Sequence, residues 1–167
     1  DLTGIEAFTA LTELRCWDNQ LTSLNVSQDI NLNFLYCFNN QLTSLDLSQN
    51  TDLISLGCSS NQLISLDVSQ NVNLQSLNFD DNQLTGLDLS QNPLLSFLFC
   101  NNNQLTSLDL SQNPLLSVIF CNNNQFISLD VSENPLLVEF FCSNTDQLTC
   151  LNLANGNNIG LYIYVYD

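Results

Sequence analysis

Leu105–Gln125, LTSLDLSQNPLLSVIFCNNNQ, states one pattern twice. Its first half carries Leu105, Leu108 and Leu110 and ends on Asn113. Its second half repeats the same offsets with Leu116, Ile119, Cys121 and Asn124. What remains after this apolar skeleton is removed is an aspartate in one half and a phenylalanine in the other.

The pattern extends both ways. Leu42, Leu63, Leu84, Leu105 and Phe126 follow one another at 21-residue steps, Leu21 extends the series backward, and Leu148 extends it forward after one inserted residue. A fixed period of this size signals a solenoid, in which no repeat buries its apolar face alone. A helical reading fails because the residues between the leucines are Ser, Thr, Asn, Asp and Gln, which favour turns and caps. The L-x-L pair has strand periodicity. Each half-repeat is therefore a very short strand, with SQNP or NNNQ as the turn after it; the Asn-Pro step resists helix continuation.

The halves LTSLDLSQN (Leu42 to Asn50), LISLGCSSN (Leu53 to Asn61) and their successors resemble the leucine-rich repeat motif L-x-x-L-x-L-x-x-N. The doubling resembles the nested bacterial class known as IRREKO, and DLTGIEAFTALTEL resembles the entry to internalin-like repeats. The fold expected is a leucine-rich repeat solenoid with short parallel strands on both faces, nearly straight, with little or no α-helix. Equal narrow strands on both sides would stack at about 4.8 Å, which is the reason to expect straightness. Residues 1–167 read as one such domain: 1–20 an entry or cap repeat, 21–153 regular repeats, and 154–167 an irregular turn and terminal strand. With no initiator Met, the chain reads as a piece of a longer protein.

Composition narrows the function. With 17 acidic residues, one cation (Arg15) and no His, the chain lacks the Lys and Arg that phosphate neutralisation requires. Anionic membranes are disfavoured on the same ground, and no apolar run is long enough to span a bilayer. General acid–base catalysis loses its commonest agent. An exposed row of identical carboxylates also offers no means to separate an acid from a nucleophile, so no enzyme is expected. The Asn/Ser/Thr-rich, Lys-free composition suits a secreted or surface-displayed protein.

Two Asn series, Asn19 to Asn124 and Asn50 to Asn134, read as turn ladders that satisfy backbone groups. Cys16, Cys37, Cys58, Cys100, Cys121 and Cys142 occupy one inward column, with Phe79 in the missing slot. Lacking C-x-x-C pairs and His, they read as free apolar thiols rather than a zinc site. Inter-coil disulfides are conceivable at this spacing. Cys150 replaces an outward Ser and reads as a surface thiol.

The two outward faces differ. Asp46, Asp67, Asp88, Asp109 and Asp130 form one column flanked by serines, a solvated face whose mutual repulsion a divalent cation would relieve. Calcium wants about six to eight oxygens, more than single carboxylates in a row supply. The other half-repeats vary from coil to coil and carry two aromatic clusters. One comprises Trp17, Phe34, Tyr36 and Phe38; the other comprises Phe97, Phe99, Val118, Phe120 and Phe141. With half of each ring exposed, the second cluster would present on the order of 400 Å² of apolar surface, in the range of functional patches. The family resemblance implies that this half-repeat is the concave, ligand-facing one.

The expected role is thus a non-enzymatic recognition or adhesion module taking a protein or glycan through the aromatic face, without nucleic acid or membrane insertion. A homodimer through that face or through the open C-terminal end also fits. The alternative is a passive spacer or adhesin stalk holding divalent ions weakly along the Asp column. An ice-binding role is a distant third, since Ile64 and Ile127 interrupt the Thr column Thr22, Thr43, Thr85, Thr106 and Thr149.

Overall fold

The computed structural model describes residues 2–145, 147–156 and 160–165, with the side chain of residue 6 left out. The chain winds as a succession of short extended runs and turns, and no α-helix occurs among the described residues. A single 3₁₀ turn, Ile5–Ala7, lies at the entry, where Leu2, Ile5 and Leu11 pack against the first coil's core.

Ten three-residue strands follow: β1 (Glu13–Arg15), β2 (Phe34–Tyr36), β3 (Ser55–Gly57), β4 (Ser76–Asn78), β5 (Phe97–Phe99), β6 (Val118–Phe120), β7 (Ser128–Asp130), β8 (Glu139–Phe141), β9 (Cys150–Asn152) and β10 (Tyr162–Tyr164). Eight of them form one parallel sheet in the order β1-β2-β3-β4-β5-β6-β8-β10. The register is in step throughout, so Leu35 sits beside Leu56 and Leu98 beside Ile119. The central residue of each strand from β1 to β8 in this sheet points inward and is buried. Alternation then forces its two neighbours outward. The core is the stack of these residues, the cysteine column, and the leucines of the opposite side.

That opposite side is where the fold departs from expectation in detail. It keeps the inward–outward alternation, but a ladder forms only between β7 and β9. Elsewhere one recurring backbone bond per coil, such as Gln62 N–H to the Leu42 carbonyl, joins the coils, and other donors go to side chains. Leu42, Leu63, Leu84 and Leu105 donate their N–H groups to the Oδ1 of Asn61, Asn82, Asn103 and Asn124 in the next coil. Ser48, Ser69, Ser90 and Ser111 donate theirs to the aspartate two residues earlier. These bonds close Asx turns along the face, in β7 as well, where Ser132 donates to Asp130 beside the ladder. The two faces are therefore hydrogen-bonded differently.

The turns are fixed by a residue the sequence pattern did not single out. Asp18, Asn39, Ser60, Asp81, Asn102, Asn123 and Asn144, one per coil, have φ between 51° and 54°. This left-handed conformation is tolerated best by Asn and Asp, whose short side chains bond locally. The residue following each, from Asn40 to Asn124, is buried and satisfies the turn. Asn82 donates to the carbonyls of Cys58, Phe79 and Asp80 and accepts from Leu63. The second series is only half used: Asn92 donates to Val68 and Asn71 at 3.0 Å each, while the Oδ1 atoms of Asn50, Asn71, Asn92, Asn113 and Asn134 are buried without a partner.

Candidate functional site

The strand register sorts the outward residues of the large sheet into columns. Phe34, Ser55, Ser76, Phe97, Val118, Glu139 and Tyr162 form the first. Arg15, Tyr36, Gly57, Asn78, Phe99, Phe120, Phe141 and Tyr164 form the second. Trp17, Phe38, Ser59, Asp80, Asn101, Asn122 and Ser143, two residues farther on, make a third.

Of the first aromatic cluster, Trp17, Tyr36 and Phe38 meet. Trp17 stacks on Phe38 at 5.1 Å and meets Tyr36 edge-on at 6.3 Å. Arg15, paired with Glu13, lies 5.7 Å from the Trp17 ring centre. Phe34 stands in the neighbouring column and joins none of these ring contacts. Tyr36 leans over the next coil, where Gly57 makes room: a Cβ there would lie 3.1 Å from the Tyr36 ring. The small residue that looked like a gap in the aromatic pattern is thus a seat for Tyr36.

In the second cluster Phe99, Phe120 and Phe141 form a continuous ring ladder, with centroid separations of 5.2 and 4.5 Å. Tyr164 extends it, stacked on Phe141 at 4.4 Å. The sequence left the register of the last strand open, so Tyr164 was missed; only its pairing with β8 places it. Tyr166 lies outside the described residues. The rings are less exposed than expected. Phe97 is 43% exposed, but Phe99, Phe120, Phe141 and Val118 are part-buried because ring covers ring along the column.

A polar column runs beside the ladder. Asp80 accepts the backbone N–H of Asn101 at 2.6 Å and its side-chain amide at 3.1 Å. Asn101 Oδ1 accepts from Asn122 in the same two ways, and Asn122 Oδ1 accepts the Ser143 N–H. Every amide points its donor toward the N-terminal coil, so the residue that opens the run serves only as acceptor; Asp80 is that residue. Its partial burial raises its pKa, against the lowering effect of the Asn101 bonds. At the left-handed turn, Asp81 heads a second such run through Asn102, Asn123 and Asn144.

On the opposite face Asp46, Asp67, Asp88, Asp109 and Asp130 are exposed and stacked as expected. The N–H of Ser48, Ser69, Ser90 or Ser111 holds the first four below the usual carboxylate range; for Asp130 the Ser132 hydroxyl leads. One oxygen of each is thus committed to its own turn. Asp109 and Asp130 line a shallow concavity with Glu133. No group of three His, Cys, Asp or Glu converges to hold a metal among the described residues.

All seven cysteines are free thiols, the six of the inward column buried and Cys150 exposed on β9 opposite Ser128. Burial pushes Cys16 to about 11 and Cys58 to about 12, and raises Cys37 and Cys100. Cys121, beside Cys142, is raised by that contact and by burial.

No protein-family model and no curated protein matches the chain. Solved structures do. It is similar to the functional domain of InlJ from Listeria monocytogenes, described as including a cysteine ladder, at 33% identity and a TM-score of 0.90, over 95% of this chain and 35% of that one. A leucine-rich repeat protein of Leptospira interrogans matches at 30% identity and a TM-score of 0.70, over 77% of this chain and 35% of that one. The leucine-rich effector protein YopM from Yersinia pestis matches at 29% identity and a TM-score of 0.72, over 86% and 43%. The chain spans about a third of the length of the first two structures it matches. Its coil length, its repeated motif and its parallel sheet agree with these structures, and by all three the chain is an internalin-like leucine-rich repeat protein.

Proposed function

We propose that this chain is a non-enzymatic recognition module of a secreted or cell-surface bacterial protein, and that it takes a protein partner on the outward face of the large sheet. The observation that carries this is the contrast between an unchanging framework and changing outward triplets. The buried Leu, Cys and Asn columns repeat coil after coil, whereas Ser55-Gly57-Ser59 in one coil becomes Phe97-Phe99-Asn101 two coils later. Framework demands cannot explain residues that point away from the framework.

A protein partner is favoured over a glycan by the ring geometry. Sugars bind by laying their C–H faces on open aromatic faces. Here Phe141 and Tyr164 lie 12° from parallel, and Trp17 and Phe38 lie 7° from parallel. Those facing rings cover each other, and elsewhere in the ladder Phe120 meets Phe99 at 81° and Phe141 at 57°. The surface is therefore an uneven mix of ring edges and faces flanked by amides rather than a flat platform, and it suits side chains and backbone. The similarity to YopM, a leucine-rich effector protein, fits a recognition role.

An array carrying proteins and glycans side by side, probed with the chain and with its Phe99→Ser/Phe120→Ser variant, tests the reading. Binding to protein spots that the double variant loses, with its melting little changed, is the expected result. Binding that survives the substitutions, or is confined to glycans, would refute it. No binding at all would favour the spacer.

A further inference from the structure

A second exposed apolar strip lies along the rim that precedes the ring ladder. Three residues before each strand of the large sheet, the turn carries Asn31, Asp52 and Asn73 in the early coils and Leu94, Leu115 and Leu136 in the later ones. The early polar residues serve the framework. The Asn31 side chain bonds the Thr9 carbonyl, Asn73 bonds that of Thr51, and the Asp52 carbonyl accepts from Asn33. The later leucines have no polar side chain to bridge with; only the Leu115 carbonyl takes part, accepting the Ser96 hydroxyl as that of Asp52 accepts Asn33. They are 40%, 39% and 52% exposed, one coil apart, and each follows a proline that fixes the turn. Ser96, Ser117 and Val138 behind them are bonded coil to coil at 2.8–2.9 Å, so the rim is held rigid. Phe97, Val138 and Tyr162 continue the exposed apolar strip onto the sheet.

The leucine side chains, standing where Asn31 and Asn73 bridge coils in the early part of the solenoid, take no part in holding coil to coil. The surroundings of this strip say what would cover it. The chain carries 17 acidic side chains and one cation, and that cation, Arg15, lies in β1 beside Glu13, four coils away. Glu139 stands in the same column as Phe97 and Val118, and Asp80 and Asp81 head the polar runs one coil earlier. A neutral or acidic partner would desolvate these carboxylates or be repelled by them, whereas a basic one would be steered in.

We infer that Leu94, Leu115 and Leu136 with Phe97 form a docking rim for a cationic protein segment that presents aliphatic side chains. The inference rests on the recognition reading above and adds to it the rim and the sign of the partner's charge.

Fluorescence anisotropy of labelled Lys/Leu, Ser/Leu and Glu/Leu peptides of equal length tests it. The Lys/Leu peptide should bind best, weaken as salt is raised, and bind at least about tenfold more weakly to Leu115→Ser/Leu136→Ser. The Asp-face control Ile64→Ser/Ile127→Ser should bind as the parent does. Leu136→Lys, a single change at an exposed site, serves if the double variant does not fold, and should also weaken binding. Equal binding of all three peptides would overturn the cationic partner. Unchanged Lys/Leu binding by the rim variants would overturn the rim. If Phe99→Ser/Phe120→Ser alone abolished binding, the sheet-face reading would stand without it; if neither pair mattered, both would fall. Leucine-dependent binding to phosphatidylcholine vesicles would replace the protein partner with a lipid surface and overturn the proposal.

Discussion

The two long sides of this solenoid begin from nearly the same string and end differently. The half-repeats L-x-x-L-x-C-x-x-N form a sheet whose carbonyls and N–H groups meet across every coil. The halves L-x-x-L-D-L-S-Q-N form a face on which side-chain acceptors and single backbone bonds join the coils, with a strand ladder only at β7 and β9. An aspartate two positions before a serine closes an Asx turn in coil after coil, in β7 as well, where the ladder survives it. Identical leucine spacing therefore fixes where the chain turns inward, while the bonding between neighbouring coils differs from one side to the other.

The widest contrast should appear in thiol chemistry. Cys58, inward on the sheet side, has its thiol pushed to about 12, so at neutral pH only about one molecule in 10⁵ is thiolate, while Cys150 is exposed on the other side. Titration of the folded chain with a thiol reagent should modify Cys150 at once and the column cysteines only on unfolding. Rapid modification of several thiols in the native state would contradict the sealed interior.

Next in size are the asparagines that close each side. Asn82→Ala, at the end of a sheet half, strands the buried Leu63 N–H, while the Cys58 and Phe79 carbonyls keep Asn61 and Asn103, and should cost about 2 kcal/mol in urea unfolding. Asn92→Ala, at the end of an Asp half, removes two donors from a side chain whose oxygen already lacks a partner and should cost about 1 kcal/mol. Equal costs would erase the distinction between the two ladders.

Carboxylates on the two sides should respond to acid in opposite directions. Burial raises Asp80, so its unfavourable contribution is full at neutral pH and is relieved as pH falls from the raised value toward the ordinary 3.8. Asp80→Asn should be the more stable of the two proteins at neutral pH, by roughly 0.5 kcal/mol, with the gap closing as the pH approaches 4. The Ser90 N–H lowers Asp88, so its contribution is full above 3.8 and is lost only below it. Asp88→Ala should therefore lower the melting temperature slightly at neutral pH and not at all in strong acid. Thermal melts of both variants across pH 3 to 7 read the two signs directly, and like signs would reject the assignment.

Several features were legible before any coordinates. A 21-residue period with turn formers between leucines leaves only a solenoid, because such short strands bury their apolar face only against the next coil. The inward column of Leu, Cys and Phe79 followed from alternation alone, as did the outward placement of Asp46, Asp67, Asp88, Asp109 and Asp130 and of the aromatic triplets. The sequence did not reveal that Phe99, Phe120 and Phe141 cover one another, since ring orientation depends on neighbours 21 residues away. Gly57 carried a signal, a glycine between Tyr36 and Asn78 in the column that also holds Phe99, Phe120 and Phe141, but its meaning required the Tyr36 ring above it.

What the amino-acid order determined by itself is thus the coil: its length, its inward residues and its turns, all set by local alternation and by side chains that bond within a few residues. What only the tertiary structure decided is the relation between coils. Pairing on one side, amide runs beginning at Asp80 and Asp81, Tyr164 joining the ring ladder, and leucines left bare along the rim all depend on which residue lies one turn away. The physical reason is range. Conformational preference acts over a handful of bonds, whereas hydrogen bonds and ring contacts across coils join residues that the chain alone holds far apart.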